Sequence, residues 1–539
     1  MKKRTFPLLN TLAFSCLLAA CLPAHADTAN PLVEEAPLRA HLAMLSSDLF
    51  EGRGTGQRGG DLTVAYLETQ AKALGLQAAN GKDFKQAVKI AGVKAQPLLS
   101  TLHINVNGRS LNLTFGDDWI WNAGDGKAQR QFDHPLVFVG YGITAPEEQW
   151  DDYKGVDVKD KILVMMVNDP QPTAEQPERF GGKALTYYGR WTYKYEEAKR
   201  RGAAGVLLIH TDASAGYGWS VVKNGGVSEH FQLASSEGGT GLQGWITETS
   251  ARTLFAVTGK DLDSLRAAAE RPDFVPVVLP AFVRGEAKST VRQLVQFNVA
   301  GIIPGTDPVL KNELVIYSAH WDHLGKQEGS GDVIYNGAID NGSGTAALLA
   351  MAKASVTKPA SRSQMFLWVA AEEQGLLGSA AYAANPLWPL AKTAANLNLD
   401  TLNFVGPTRD IGAQGSERTE LVAIATKVAK EMSLQIAPTR IDTAGGYFRS
   451  DHFNFAKAGV PAFSVGSGRD YLHDPQASAE KARAYSKRYH QVSDEYDPTW
   501  DLSGMVQQAQ FTLNLGREIA NAATMPLWKK DDPFAKFRQ

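Results

Sequence analysis

The chain has 539 residues, 44% hydrophobic and 21% charged, which is apolar material enough for packed cores and more length than one core normally serves, so two or three domains are expected. Its 55 Lys and Arg nearly balance its 57 Asp and Glu, so no overall field draws it to nucleic acid or to an anionic membrane, and nucleic acid is not expected as a partner.

Residues 1–26 read as a signal peptide. Lys2, Lys3 and Arg4 form the charged region, and the apolar run from Leu8 to Leu22 is too short to span a bilayer. Two processing routes compete: Ala24-His25-Ala26 offers a cleavage site before Asp27, whereas Leu18-Ala19-Ala20-Cys21 has the form of a lipoprotein box in which Cys21 would carry a lipid anchor. The protein is expected to be exported, either periplasmic or secreted, or else anchored through Cys21, with no transmembrane segment in the mature chain. Cys16 and Cys21 are its only cysteines, so the folded part has no disulfide, and any metal site must use histidines and carboxylates.

Over residues 27–132, LRAHLAML and LTVAYLETQAKALGL repeat their apolar positions at helical spacing on either side of the glycine-rich EGRGTGQRGG, and TLHINVNG and LNLTFG then alternate as strands do. Residues 133–286 differ in texture: HPLVFVGYGI, DKILVMMVND and AAGVLLIHTD predict short buried strands and WTYKYEEAKRRG a helix, together an inserted β-rich unit. Over 287–525 the pattern alternates strand and helix. VRQLVQFNVAGIIPG, ELVIYSAHWDH, SQMFLWVAAEE, ANLNLDTLN and AGVPAFSVG predict strands, and TAALLAMAKA and ELVAIATKVAKEM predict helices. Strands this uniformly apolar suit a sheet covered on both faces, a three-layer α/β/α sandwich with a mostly parallel mixed sheet. Residues 526–539, ending in KKDDPFAKFRQ, read as a mobile tail.

Chemistry-bearing residues close the predicted strands, and in α/β folds the carboxyl ends of strands are where ligands bind. His320 and Asp322 end ELVIYSAHWDH. The pair is either structural or, if His320 binds a metal through one ring nitrogen, Asp322 accepts from the other. Asp340 and Asn341 stand in a glycine-rich bend before a helix, where Asp340 or Ser343 is alternatively a cap. Glu372 and Glu373 follow a buried strand, so their side chains diverge and one can bind metal while the other faces substrate. Asp400 ends LNLD in the same way, and His490 lies far from the sheet in KRYHQVSDEYD. A charge ending three successive buried strands is costly unless cations or hydrogen bonds meet it.

The order His-x-Asp, Asp-Asn-Gly, Glu-Glu, Asp, His, with SSDLFEGRGTG, NVAGIIPG and SDHFNFAKAGVPAFSVG, resembles the co-catalytic zinc exopeptidases of metallopeptidase family twenty-eight, which include secreted bacterial aminopeptidases and glutamate carboxypeptidase. DYKGVDVKDKILVMMV with EEAKRRGAAGVLLIHTD is similar to a protease-associated domain, and a plain structural insertion fits these residues as well. The resemblance implies two Zn2+ per chain, with His320 and Asp400 on one ion, Glu373 and His490 on the other and Asp340 bridging. Glu372 would be the general base toward a hydroxide between the ions, Tyr489 a donor to the oxyanion, and Asp322 an orienting partner. Asp451 and His452 would be pocket-wall residues. Peptide substrates and an aminopeptidase activity follow. The alternatives are a carboxypeptidase of the same fold or an inactive peptidase-like binding protein; a glutaminyl cyclase would lack His320.

Overall fold

The structure is a computed structural model and describes residues 31–234 and 239–538; the expected signal peptide, with Cys16 and Cys21, lies outside them. Among the described residues no helix is long and apolar enough to cross a membrane.

The apolar runs of the second half form the expected sheet. Strands Ser363–Val369, Leu314–His320, Thr393–Asn398 and Ala462–Ser464 lie side by side and parallel. The end of the long strand Val277–Ile303 flanks them antiparallel, and Lys85–Ala95 pairs antiparallel beyond it. Consecutive strand residues point to opposite faces. Tyr317 stacks on Phe366 and turns its hydroxyl toward helix Ser503–Asn521, whereas Ser318, on the other face, bonds Asn398, whose amide reaches Ser450 at the head of helix His452–Lys457. Helices therefore cover both faces, and the three-layer α/β/α reading holds. Helix Ser343–Val356, buried almost all round, packs against Glu35–Leu45 and Ser503–Asn521.

Gly516 fits helix Ser503–Asn521 onto the sheet, because a Cβ there would run into the Tyr317 hydroxyl. Gly516→Val is expected to lower stability by about 2 kcal/mol, the usual cost of overpacking, since the helix propensity regained is well under ~1 kcal/mol. Denaturant unfolding reads this directly; an unchanged midpoint would mean that Tyr317 yields freely.

The insertion has a sheet of its own. Strands Gln129–Phe138, Ile162–Met166, Gly205–His210 and Leu242–Thr247 run parallel, with Trp119–Asn122 antiparallel at one side. On the other side Gln129–Phe138 pairs with the first half of Val277–Ile303, which also takes His103–Val106. The sheet thus draws in strands ahead of residue 133, and the boundary read at 286 falls inside one continuous strand. LNLTFG lies outside any named strand.

The tail is docked, not mobile as expected. Phe534 is buried against Tyr187, Phe453 and Trp528, Asp532 pairs with Arg418 at 2.8 Å, and the Arg538 guanidinium donates to the Thr393 carbonyl. One aromatic anchor within a charged segment outweighs the local polarity that suggested mobility.

Candidate metal centre

The carboxyl ends of the three central parallel strands deliver His320, the Glu372–Glu373 pair and Asp400 to one edge of the sheet. Ala371, at φ 53°, turns the chain after strand Ser363–Val369, and the two glutamates then diverge as their adjacency predicts. Glu373 places Oε1 2.6 Å from His323 Nδ1 and Oε2 3.0 Å from His490 Nε2. Glu372 groups with His320 and Asp400 instead, whereas His323, Asp340, Glu373 and His490 form a second group, the donor atoms within each lying no more than 4.8 Å apart. Asp340 faces both groups, with Oδ1 3.4 Å from His320 Nε2 and Oδ2 3.1 Å from His490 Nε2. Asp400 Oδ1 lies 3.3 Å from His320 Nε2, and its other oxygen accepts from Ser450 Oγ at 2.6 Å.

The capping alternative for Asp340 falls to its neighbour. Asn341 Oδ1 accepts from the Gly344 amide at 2.9 Å and its Nδ2 donates to the Leu399 carbonyl, so Asn341 ties the helix start to the Asp400 strand end and leaves the Asp340 carboxylate free to face the histidines. Asp494, four residues after His490, accepts from the Ile339 and Asp340 amides and from Tyr485 Oη, fixing that bend from outside.

Asp322 behaves differently from the expectation. His320 Nδ1 lies 3.2 Å from the Asp322 carbonyl oxygen but 3.9 Å from its carboxylate, which instead accepts the Glu372 and Glu373 amides at 3.0 and 3.3 Å. The carboxylate is captured by the turn that carries the two glutamates, so its contribution is to hold them.

The electrostatics ask for cations. Burial pushes the His320 imidazole down, but Glu372 and Asp400 outweigh it and hold the ring well above its ordinary value. His490 goes the same way, to about 10, burial being overcome by Asp340 and Glu373. Glu372 is pushed well above the carboxylate range by burial and then by Asp400 and Glu373, His320 opposing. Four buried or half-buried carboxylates with three imidazoles and no thiol are the donor set that suits zinc, and His323 Nε2 is buried without a partner, so these residues fit a bound metal.

His323, which the sequence reading does not single out, is the addition. The signal was its place one residue past His-x-Asp, where the strand has ended and alternation no longer predicts direction. Arg53, in the quoted EGRGTG segment, is a second: fully buried, it donates to the carbonyls of Trp321, Asn336 and Gly337, bracing the His320 strand end against the Asp340 bend. Tyr489 stacks on His490 with ring centroids 3.9 Å apart and is 41% exposed to the cleft. Asp451 bonds Ser379, and His452 packs its ring on Tyr447; neither touches the two donor groups.

Residues 298–513 match peptidase family M28, an interval that contains all the residues assembled above except Arg53. That stretch is a peptidase family M28 domain. The M28 domain begins inside strand Val277–Ile303 and ends within helix Ser503–Asn521, so the inserted sheet lies outside it. Among related proteins, leucine aminopeptidase 1 of Trichophyton equinum is 31% identical over 198 residues, 35% of this chain and 52% of that protein. Leupeptin-inactivating enzyme 1 of Streptomyces exfoliatus is 30% identical over 236 residues, 41% of this chain and 50% of that protein. The chain therefore spans about half the length of the curated relatives it matches. Among solved structures, the aminopeptidase from Aneurinibacillus sp. strain AM-1 has a TM-score of 0.48 at 18% identity, over 92% of this chain and 95% of that one.

Proposed function

We propose that this chain is an exported zinc aminopeptidase that removes the N-terminal residue of peptides and uses two Zn2+ per chain. The observation that carries the proposal is Asp340, set between two groups of imidazoles and carboxylates and facing a histidine of each. Membership of the M28 domain and the aminopeptidase names of its relatives support the same reading. His320 and Asp400 would hold one ion, Glu373 and His490 the other, and Asp340 both, while His323 fixes the Glu373 carboxylate through its 2.6 Å contact.

Bound zinc supplies Lewis acidity toward the scissile carbonyl and makes water nucleophilic near neutral pH. The chain contributes the rest. Glu372, outside the second group and on the cleft wall, would be ionised once cations offset burial and the Asp400 and Glu373 charges that push it up, and its carboxylate then takes the proton of the attacking water and delivers it to the leaving amine. Burial and the nearby Asp340 and Glu373 charges push the Tyr489 phenol up, so it remains protonated and serves as a donor to the developing oxyanion. Asp322 holds the Glu372–Glu373 turn so that one glutamate faces substrate and the other metal. The unit over 133–286 is proposed to act as a protease-associated domain, narrowing access to the cleft through Trp191 and Thr192 on its wall.

The test is a panel of aminoacyl amides and peptides, each with a free and a blocked amino terminus, assayed with the protein lacking its first 26 residues while bound metal is counted. About two zinc per chain and cleavage of the free forms alone are expected, with activity lost on chelation and restored by zinc. Cleavage of blocked peptides from the carboxyl end would replace the aminopeptidase with a carboxypeptidase, and a folded protein without metal would overturn both.

A further inference from the structure

Trp191, on the wall of the cleft, also lines a second cavity of about 230 Å³, built on the inserted sheet. The ladder between Trp119–Asn122 and Leu242–Thr247 pairs Ile120 with Trp245 and Asn122 with Gln243, so these four share one face and form the floor. Trp191 and Tyr195 stand on the wall from helix Trp191–Arg200, ring centroids 5.8 Å apart, and Trp191 lies 6.4 Å from Trp245. Helix Trp219–Val227 supplies another side, with Tyr217 and Val221 exposed at the rim. We propose that this cavity is a subsite for a tryptophan or tyrosine side chain on the leaving side of the scissile bond, its N–H or O–H donating to Asn122 Oδ1. The proposal rests on the aminopeptidase reading above and names a substrate class within it.

Asn122 Oδ1 is buried without a hydrogen-bond partner, which costs stability and is rare in a native fold unless something else uses the group. The Tyr195 hydroxyl on the same wall does not serve it, because it donates to the Gly244 carbonyl at 3.2 Å. A box of aromatic rings can also hold a cation. Here none of the lining residues is an acid, a lysine or an arginine, and burial pushes the His230 imidazole down, so it is uncharged at neutral pH. Burial pushes the Tyr217 phenol up while Arg190 and Arg449 pull it down, so positive charge stands near the rim and disfavours an ammonium. A neutral ring with one donor fits what remains.

The size agrees. The cavity is smaller than the roughly 300 Å³ at which sites for whole small molecules begin, and it offers aromatic faces on which one ring can pack edge-on or offset. Helix Trp219–Val227 rests on the sheet through Gly226, where a Cβ would run into Ile120. One residue earlier, a Cβ on Gly225 meets nothing within 4 Å, and a longer side chain there would enter the opening.

The test uses peptide amides that begin with Leu and carry one, two or three glycines before a final Trp, beside the same peptides with Gly or 1-methyltryptophan in place of Trp. Each glycine moves the ring by about 3.3–3.6 Å. With the zinc-loaded enzyme, kcat/KM at one spacing is expected to favour Trp over Gly by about tenfold or more. It should favour Trp over 1-methyltryptophan, which lacks the donor, by about three- to tenfold. Gly225→Leu plugs the opening and favours the helix, so its ratio of Trp to Gly turnover should fall to within about twofold of unity. Asn122→Leu removes the acceptor; it should erase the discrimination against 1-methyltryptophan and raise the denaturation midpoint, because the orphaned oxygen is gone. Saturation-transfer NMR with N-acetyl-tryptophan amide reads the cavity without turnover. Indole binding that is lost in Gly225→Leu, by a wild type that cleaves none of the peptides, would sink the peptidase reading and spare the cavity as an indole site. Equal turnover of the Trp and Gly peptides at every spacing, or a Trp preference that survives Gly225→Leu, would overturn the subsite itself.

Discussion

Glu372→Gln is expected to lower kcat by about 10²- to 10⁴-fold, the range a positioned acid–base group contributes, while the protein keeps its full zinc content. The amide is isosteric, so the Glu372–Glu373 turn stays on Asp322 through its main-chain amides. What disappears is a carboxylate that accepts the proton of water and returns it to the departing amine. Zinc counting makes the experiment decisive, because Glu372 lies as close to His320 and Asp400 as a ligand would. If the variant loses one metal along with its activity, Glu372 is a ligand and the general base must be sought elsewhere; if activity survives, neither role stands.

Asp340→Ala is expected to abolish both metal binding and turnover. Its two carboxylate oxygens face separate histidines, at 3.4 and 3.1 Å, so on the proposed two-zinc reading their removal would take a donor from each ion at once, whereas loss of His490 would weaken one. Each remaining group would keep imidazole beside like-charged carboxylates with too few donors for a closed site. Inductively coupled plasma analysis after gel filtration should find less than about one zinc per chain. Two tightly held zinc ions in this variant would show that Asp340 is not shared.

The site was legible to the extent that it hangs on strand ends. Four successive apolar strands announced a sheet, and a charge at the carboxyl end of three of them is hard to explain without a ligand. His320, Glu373 and Asp400 therefore stood out by contrast with what precedes them, and they do converge. His323 and Arg53 lacked that contrast: one comes after the strand has ended, the other sits in a glycine-rich bend where a cation looks like surface. Asp322 was expected to meet the His320 ring and instead meets two main-chain amides, because its choice between them depends on how the next strand turns at Ala371. The docked tail and the strands recruited ahead of residue 133 escaped for a related reason: a short polar or alternating segment does not reveal which surface or ladder receives it.

The single strand Val277–Ile303 belongs to both sheets, and it is paired along its length, first with Gln129–Phe138, then with Lys85–Ala95 and finally with Ser363–Val369. The inserted unit is therefore no cassette. Splicing it out at its apparent ends would cut through a shared beam, leaving an open ladder in the body that carries the metal donors. For the same reason the two bodies have no slack tether at this crossing about which to swing.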